Sequence, residues 1–250
     1  MIGRTQRYAL TPVAGVALAL SLSMMLLLGV VCTFPLAAPA RAADDKPMPV
    51  FAPDKGKFRI LVNGQQVGKE EFEISANSGN WIARGNSEIQ APEGVTRISG
   101  TLELHADGSP ARYEWATQGA KKASAAITFS GATATIELHL EGARPFTQQF
   151  TFNSPRVAVL DNNLYHQYAV LARIYDWSRR GTQSYSVLIP QELTPGTVTV
   201  DWAGAVSAGG KAYEGLKVST SDLQIILYLD TNHRLMRLEV PSANVVVVRE

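Results

Sequence analysis

The feature that most constrains this chain is a rhythm. From Phe58 to Phe152, short runs in which apolar and polar residues alternate are interrupted about every 10 to 14 residues by turn-forming residues. A side-chain period of two places alternate residues on opposite faces of a strand, and such spacing leaves room for one strand and one tight turn at a time. Phe58, Ile60 and Val62 face one way, Asn63-Gly64 supplies a two-residue hairpin turn, and Val67, Phe72 and Ile74 lead the chain back. The pattern continues over Trp81 to Ile89, Thr96 to His105, Arg112 to Gln118, Ala123 to Phe129, Thr133 to Leu140 and Phe146 to Phe152. The turns between these runs carry Pro92-Glu93-Gly94, Asp107-Gly108-Ser109-Pro110, Ser130-Gly131 and Glu141-Gly142.

The rhythm breaks once. Leu164, Tyr168, Leu171, Ala172 and Tyr175 recur at intervals of three and four, which predicts an amphipathic helix capped by Asp161 or Asn162 and running to about Trp177. Arg179, Arg180 and Gly181 supply the cationic and glycine signals of a helix C-terminus. Strands are expected again over Gln183 to Ile189, Gly196 to Ala203, Lys211 to Ser219, Leu223 to Asp230, Leu235 to Val240 and Asn244 to Val248. With no alternation of strands and helices, the pattern predicts an all-β fold. The expected form is a large antiparallel meander curled into an open or closed barrel-like sheet, with one amphipathic helix packed on its concave face.

Ahead of this region the sequence has a different character. Arg4 and Arg7 precede an almost unbroken apolar stretch from Val13 to Val31, no acid occurs before Asp44, and Ala38-Pro39-Ala40-Arg41-Ala42 offers small residues at the spacing a signal peptidase reads. Residues 1–42 are therefore read as a cleaved signal peptide that exports the chain to a periplasmic or extracellular location. The alternative is a retained N-terminal membrane anchor, since 19 apolar residues at about 1.5 Å each approach the ~30 Å of a hydrocarbon core. Pro47, Pro49 and Pro53 make residues 43–55 a Pro-rich linker, leaving 56–250 as a single β-rich domain.

Composition narrows the chemistry. The full chain carries 23 Lys and Arg against 22 Asp and Glu, and loss of residues 1–42 leaves 20 against 22, a net charge of −2. Such balance gives no footprint for nucleic acid, and none is expected as a partner. Cys32, the sole cysteine, falls within the signal, so the mature chain has no thiol nucleophile, disulfide or thiolate metal site. His105, His139, His166 and His233 lie on separate elements, without ligand spacing, and no metal or cofactor is expected. The common nucleophile, phosphate-loop and dinucleotide motifs are absent, and Glu70 and Glu71 point to opposite faces of one strand, so the chain is read as non-catalytic.

Two stretches carry a resemblance. Gly56-Lys57-Phe58 through Val62-Asn63-Gly64 with Gly68-Lys69-Glu70-Glu71-Phe72, and Leu227-Tyr228-Leu229-Asp230 through Leu235-Met236-Arg237-Leu238-Glu239-Val240-Pro241, resemble exported bacterial β-domains of unknown function. In outline these are similar to the curved sheets of periplasmic lipoprotein carriers. Ala243 to Glu250 also resembles the close of the β-rich segment that precedes some secreted α/β-hydrolase domains. The resemblance transfers no catalytic motif; it implies an envelope protein with a curved sheet and an apolar ligand.

The densest group of aromatic and titratable residues lies on the expected helix: Tyr165, His166, Tyr168, Arg173 and Trp177 are the candidate ligand-binding residues, the floor of a cavity inside the sheet. The competing reading is structural, with Leu164, Tyr168, Leu171 and Tyr175 sealing the sheet while His166 and Arg173 flank that stripe in solvent. Three functions follow. The favoured one binds a lipid or other apolar small molecule, or a protein partner, on a concave face lined by residues such as Phe72, Ile74, Leu102, Leu104, Ile127, Phe129, Ile225 and Leu227. The second is a structural or interaction module with a fully plugged sheet, and the third an uncharacterised hydrolase-type enzyme.

Overall fold

The computed structural model describes residues 51–92, 94–119 and 122–250. The expected signal peptide, its cleavage site, Cys32 and most of the linker lie outside those residues. Among the described residues, fifteen strands form one open sheet. The first eight are β1 (Asp54–Val62), β2 (Gln65–Asn77), β3 (Asn80–Ala91), β4 (Gly94–Leu104), β5 (Pro110–Gln118), β6 (Ala123–Ser130), β7 (Thr133–Leu140) and β8 (Phe146–Thr151). Then come β9 (Val157–Val159), helix α1 (His166–Ile174), β10 (Gln183–Ile189), β11 (Thr194–Ala208), β12 (Lys211–Ser219), β13 (Gln224–Leu229), β14 (Leu235–Val240) and β15 (Val245–Arg249).

The two meanders join through the chain ends. Strand β1 pairs antiparallel with β15, Ile60 opposite Val247, so the sheet runs from β8 back to β1, across to β15 and down to β9. Its two edges, β8 and β9, are consecutive in sequence and separated by residues 152–156 alone. That connection reaches at most about 20 Å, whereas fifteen flat strands would hold the edges roughly 65 Å apart. The sheet must therefore curl until its edges approach one another. Val157, Ala158 and Val159 are all buried, and β9 packs against β5.

Three expectations change. The chain has one strand more at the seam: β9 pairs parallel with β10, Val157 opposite Ser186, so β9, α1 and β10 form a βαβ unit that the sequence did not announce. Three residues are too few to display a period. The domain also begins earlier than Gly56. Asp54 starts β1 because Arg249 grips both its oxygens, Nη2 to Oδ1 at 2.6 Å and Nη1 to Oδ2 at 3.1 Å, and Phe51 is buried beside Trp81.

Helix α1 is shorter at both ends than the periodicity implies. Asn163 takes a left-handed conformation, φ 62°, which a helix cannot continue through, and the Asp161 carboxylate is spent elsewhere rather than on a cap. At the far end Tyr175 is extended, and the Trp177 indole Nε1 donates to the Ala172 carbonyl, 3.0 Å, supplying one of the partners a helix terminus lacks. Leu164, Leu171 and Ala172 are fully buried against the concave face, together with the expected lining residues Ile74, Leu102, Leu104, Ile127 and Leu227; Phe129 is half-buried. Each large side chain buried in this way contributes about 1.5–3 kcal/mol. No helix among the described residues is long and apolar enough to cross a membrane.

Candidate functional site

The five candidate residues do not share one floor. Tyr165 and His166 lie at the start of α1, whereas Arg173 lies in its last turn, about 10 Å from His166 along the helical rise, and Trp177 lies beyond its end. His166 is fully buried, not solvated, because Glu70 of β2 meets it. The carboxylate accepts from the His166 ring Nδ1 at 2.6 Å, from its backbone N–H at 3.3 Å, and from the Tyr165 N–H at 2.8 Å. One buried acid thus satisfies the N–H groups of both Tyr165 and His166 where the helix begins. Tyr165 is half-buried, and burial pushes its phenol up to about 12; Tyr168 is half-buried and its phenol is raised further by the same cause.

A second buried network lies beside the first. The Tyr113 hydroxyl donates to Asp161 Oδ2, 2.8 Å, and accepts from Gln167 Nε2, 3.1 Å, while the Asp161 N–H donates to Gln167 Oε1. Asp161 Oδ1 accepts from the Gln191 N–H, 2.8 Å. Burial pushes the Asp161 carboxyl up to about 6, opposed by the hydrogen bonds from Gln191 and Tyr113. These polar groups tie the helix to β5 and to the turn after β10, and Tyr113, Asp161 and Gln167 are buried.

The end of the helix is held by stacking. Trp177 lies face to face with His233, ring centroids 3.7 Å apart and 5° from parallel, and His233 Nε2 meets Glu214 Oε2 at 3.2 Å. Glu214 also pairs with Arg180, whose guanidinium covers Trp202 at 4.4 Å. Trp202 is 39% exposed beneath that cation. Arg173 is half-buried and lowered by burial, with the carboxylates of Asp54 and Asp230 opposing the shift. The best-formed surface grooves, from about 350 to 660 Å³, take their walls from other residues than these five. Among the described residues no group of three or more His, Cys, Asp or Glu is placed to hold a metal ion.

A different region of the concave face lies open. Along β7, Ala134, Ile136, Leu138 and Leu140 share the inner face, since Ile136 opposes the buried Ile127 of β6 and alternate residues share a side. Phe146 of β8 stands opposite Leu138 on that face. Burial fades along the row, from 0% exposure at Ala134 and Ile136 through half-burial at Leu138 to 48% exposure at both Leu140 and Phe146. Helix α1 lies over β3 and β14 and does not extend here. The Glu141 N–H donates to the Lys122 carbonyl, 3.1 Å, so the turns before β6 and before β8 sit side by side with exposed Lys122 and Arg144 beside the apolar residues. Neither cation forms an ion pair among the described residues.

The sequence reading named the helix but not the buried groups that hold it: Glu70 and Tyr113 face it from distant strands, the Asp161 carboxylate serves from the segment just before it, and Gln167 lies within the helix itself. Glu70 alone left a trace: it interrupts the apolar alternation of β2 on the inward side, between Gly68 and Phe72.

No family model matches the sequence, and no curated protein matches it. A solved structure of a DUF1089 family protein from Pseudomonas aeruginosa is similar to part of the chain, with a TM-score of 0.44 and 9% sequence identity over 72% of this chain and 91% of that one.

Proposed function

We propose that this is an exported, non-catalytic envelope protein that binds an apolar or amphipathic partner on the open end of its curved sheet rather than within it. The observation carrying this reading is the inner face of β7 and β8, where Leu140 and Phe146, each 48% exposed, extend the core's apolar row beyond the cover of α1. Burying the two would gain roughly 1 kcal/mol or more apiece. The concave face nearer the helix is already filled by Leu164, Leu171 and their neighbours, which argues against an enclosed carrier cavity there. The perturbed acid, Asp161, is 4% exposed and engaged in hydrogen bonds, which favours a structural over a catalytic role.

The test combines an apolar dye with native mass spectrometry on the exported form. Binding of bis-ANS to the folded protein is expected to fall at least fivefold in Leu140→Asp and Phe146→Asp with an unchanged Tm, and the purified protein is expected to carry no internal ligand. A co-purifying apolar molecule retained by both variants but lost in Leu102→Glu would replace this reading with an interior carrier.

A further inference from the structure

We infer that the open corner at β7 and β8 docks on an anionic lipid bilayer, an assignment that rests on the reading of this corner as the binding surface. Leu140 and Phe146 flank the same turn, residues 141–145, so their exposed side chains stand at the tip of a hairpin rather than inside a groove. A small amphipathic molecule binds by burying most of its surface, and the two side chains at this open end of the face supply too little wall to enclose one. An extended apolar phase suits the tip, because two bulky side chains can enter the boundary between headgroups and acyl chains without being enclosed.

Charge chooses the kind of bilayer. Lys122 and Arg144 are exposed beside the tip, and the hydrogen bond from Glu141 N–H to the Lys122 carbonyl holds the two turns together. Among the described residues of the two turns, Lys122 and Arg144 stand against Glu141, a formal excess of positive charge. Cations next to an anionic surface attract it over about one Debye length. The domain as a whole is close to neutral, so this local excess is not submerged in a larger field of the same sign.

The placement of other apolar side chains agrees. Val95, at the start of β4, and Leu223, just before β13, are 38% and 37% exposed, and both lie at the end of the sheet where β7 finishes and β8 begins. Trp202, in the middle of β11, is the exception among the large exposed apolar residues. Strand β8 itself, Phe-Thr-Gln-Gln-Phe-Thr, bears no charge to repel an apolar surface.

The experiment is vesicle co-sedimentation of the exported protein, its processing state read from intact mass. Vesicles of phosphatidylglycerol and phosphatidylethanolamine are compared with vesicles of phosphatidylcholine alone. Binding to the anionic vesicles is expected to exceed binding to the neutral ones at least tenfold and to weaken as salt rises. It should fall roughly tenfold in the double variant Lys122→Glu/Arg144→Glu, and as far in Phe146→Asp, with far-UV spectra and Tm preserved in both variants. Equal binding to both vesicle types, insensitivity to charge reversal, or self-association through β8 in place of vesicle binding overturns the inference. If bis-ANS binding at Leu140 and Phe146 persists while vesicles are ignored, the bilayer assignment alone fails; if both are absent, the reading of the corner fails with it.

Discussion

Gly85 lies directly under the His166 imidazole: a Cβ at position 85 would stand 2.3 Å from the ring Nδ1 and 2.8 Å from the Glu70 carboxylate. Gly85 and Gly100 are opposite one another on β3 and β4, and Leu164 occupies the space above Gly100 as His166 does above Gly85. The start of the helix is therefore seated in a trough two glycines wide, and its position is set by the absence of side chains as much as by their presence.

Replacing Gly85 by alanine is expected to destabilise the protein by about 3 kcal/mol, the upper range for overpacking a buried site, because neither neighbour is the free end of a flexible chain. Urea unfolding measures it. A double-mutant cycle with His166→Ala should recover much of the loss, since that change removes the atoms the new methyl strikes. Additive effects would show that the trough is not what locates the helix.

Glu70→Ala is expected to cost about 3–5 kcal/mol, in the range for removing one partner of a buried ionisable pair, because it leaves the His166 ring and two N–H groups without an acceptor. Glu70→Gln should cost less, since the amide oxygen still accepts from the backbone. Hydrogen exchange at the Tyr165 and His166 amides discriminates: both should lose protection in the alanine variant before the sheet does.

The contrast between sheet and site explains what was legible in the chain. Hairpins such as β1 and β2 declare themselves because their partners are adjacent and the turn residues Asn63-Gly64 have a local conformational requirement. The pairing of β1 with β15 joins residues nearly 200 positions apart and leaves no local signal. Glu70 and His166 are separated by 96 residues, so the clasp could be found only after the sheet had curled. His166 and Arg173, alike by pattern, diverge for the same reason: one is fully buried against a carboxylate, and the other stays half-buried among the charges of Asp54 and Asp230.

Asp161 predicts a pH dependence. Its folded carboxyl is raised to about 6 by burial, against about 3.9 in an unfolded chain, so the native state holds the proton more tightly. Stability should therefore be greater on the acid side and decline as pH rises from about 4 through 6, by about 3 kcal/mol for this group. Subtracting the unfolding curve of Asp161→Asn from that of the wild type isolates it. A flat difference between pH 4 and 7 would mean that the hydrogen bonds from Tyr113 and Gln191 offset the burial.

His233 should act in the opposite sense. Burial against Trp177 lowers its pKa, a shift that Glu214 and Asp230 oppose and Arg173 reinforces. The unfolded imidazole then takes its proton first as pH falls below about 6.5, and the contribution of this group to stability, full above that value, is lost as pH falls through the lower folded one. Because the ring lies 3.7 Å from the indole, its protonation should also quench Trp177 emission. The difference in fluorescence between wild type and His233→Gln, followed from pH 8 to 4, is expected to titrate below the ordinary histidine range. A midpoint above that range would mean that the Glu214 carboxylate outweighs burial, and that the stack tightens in acid instead of loosening.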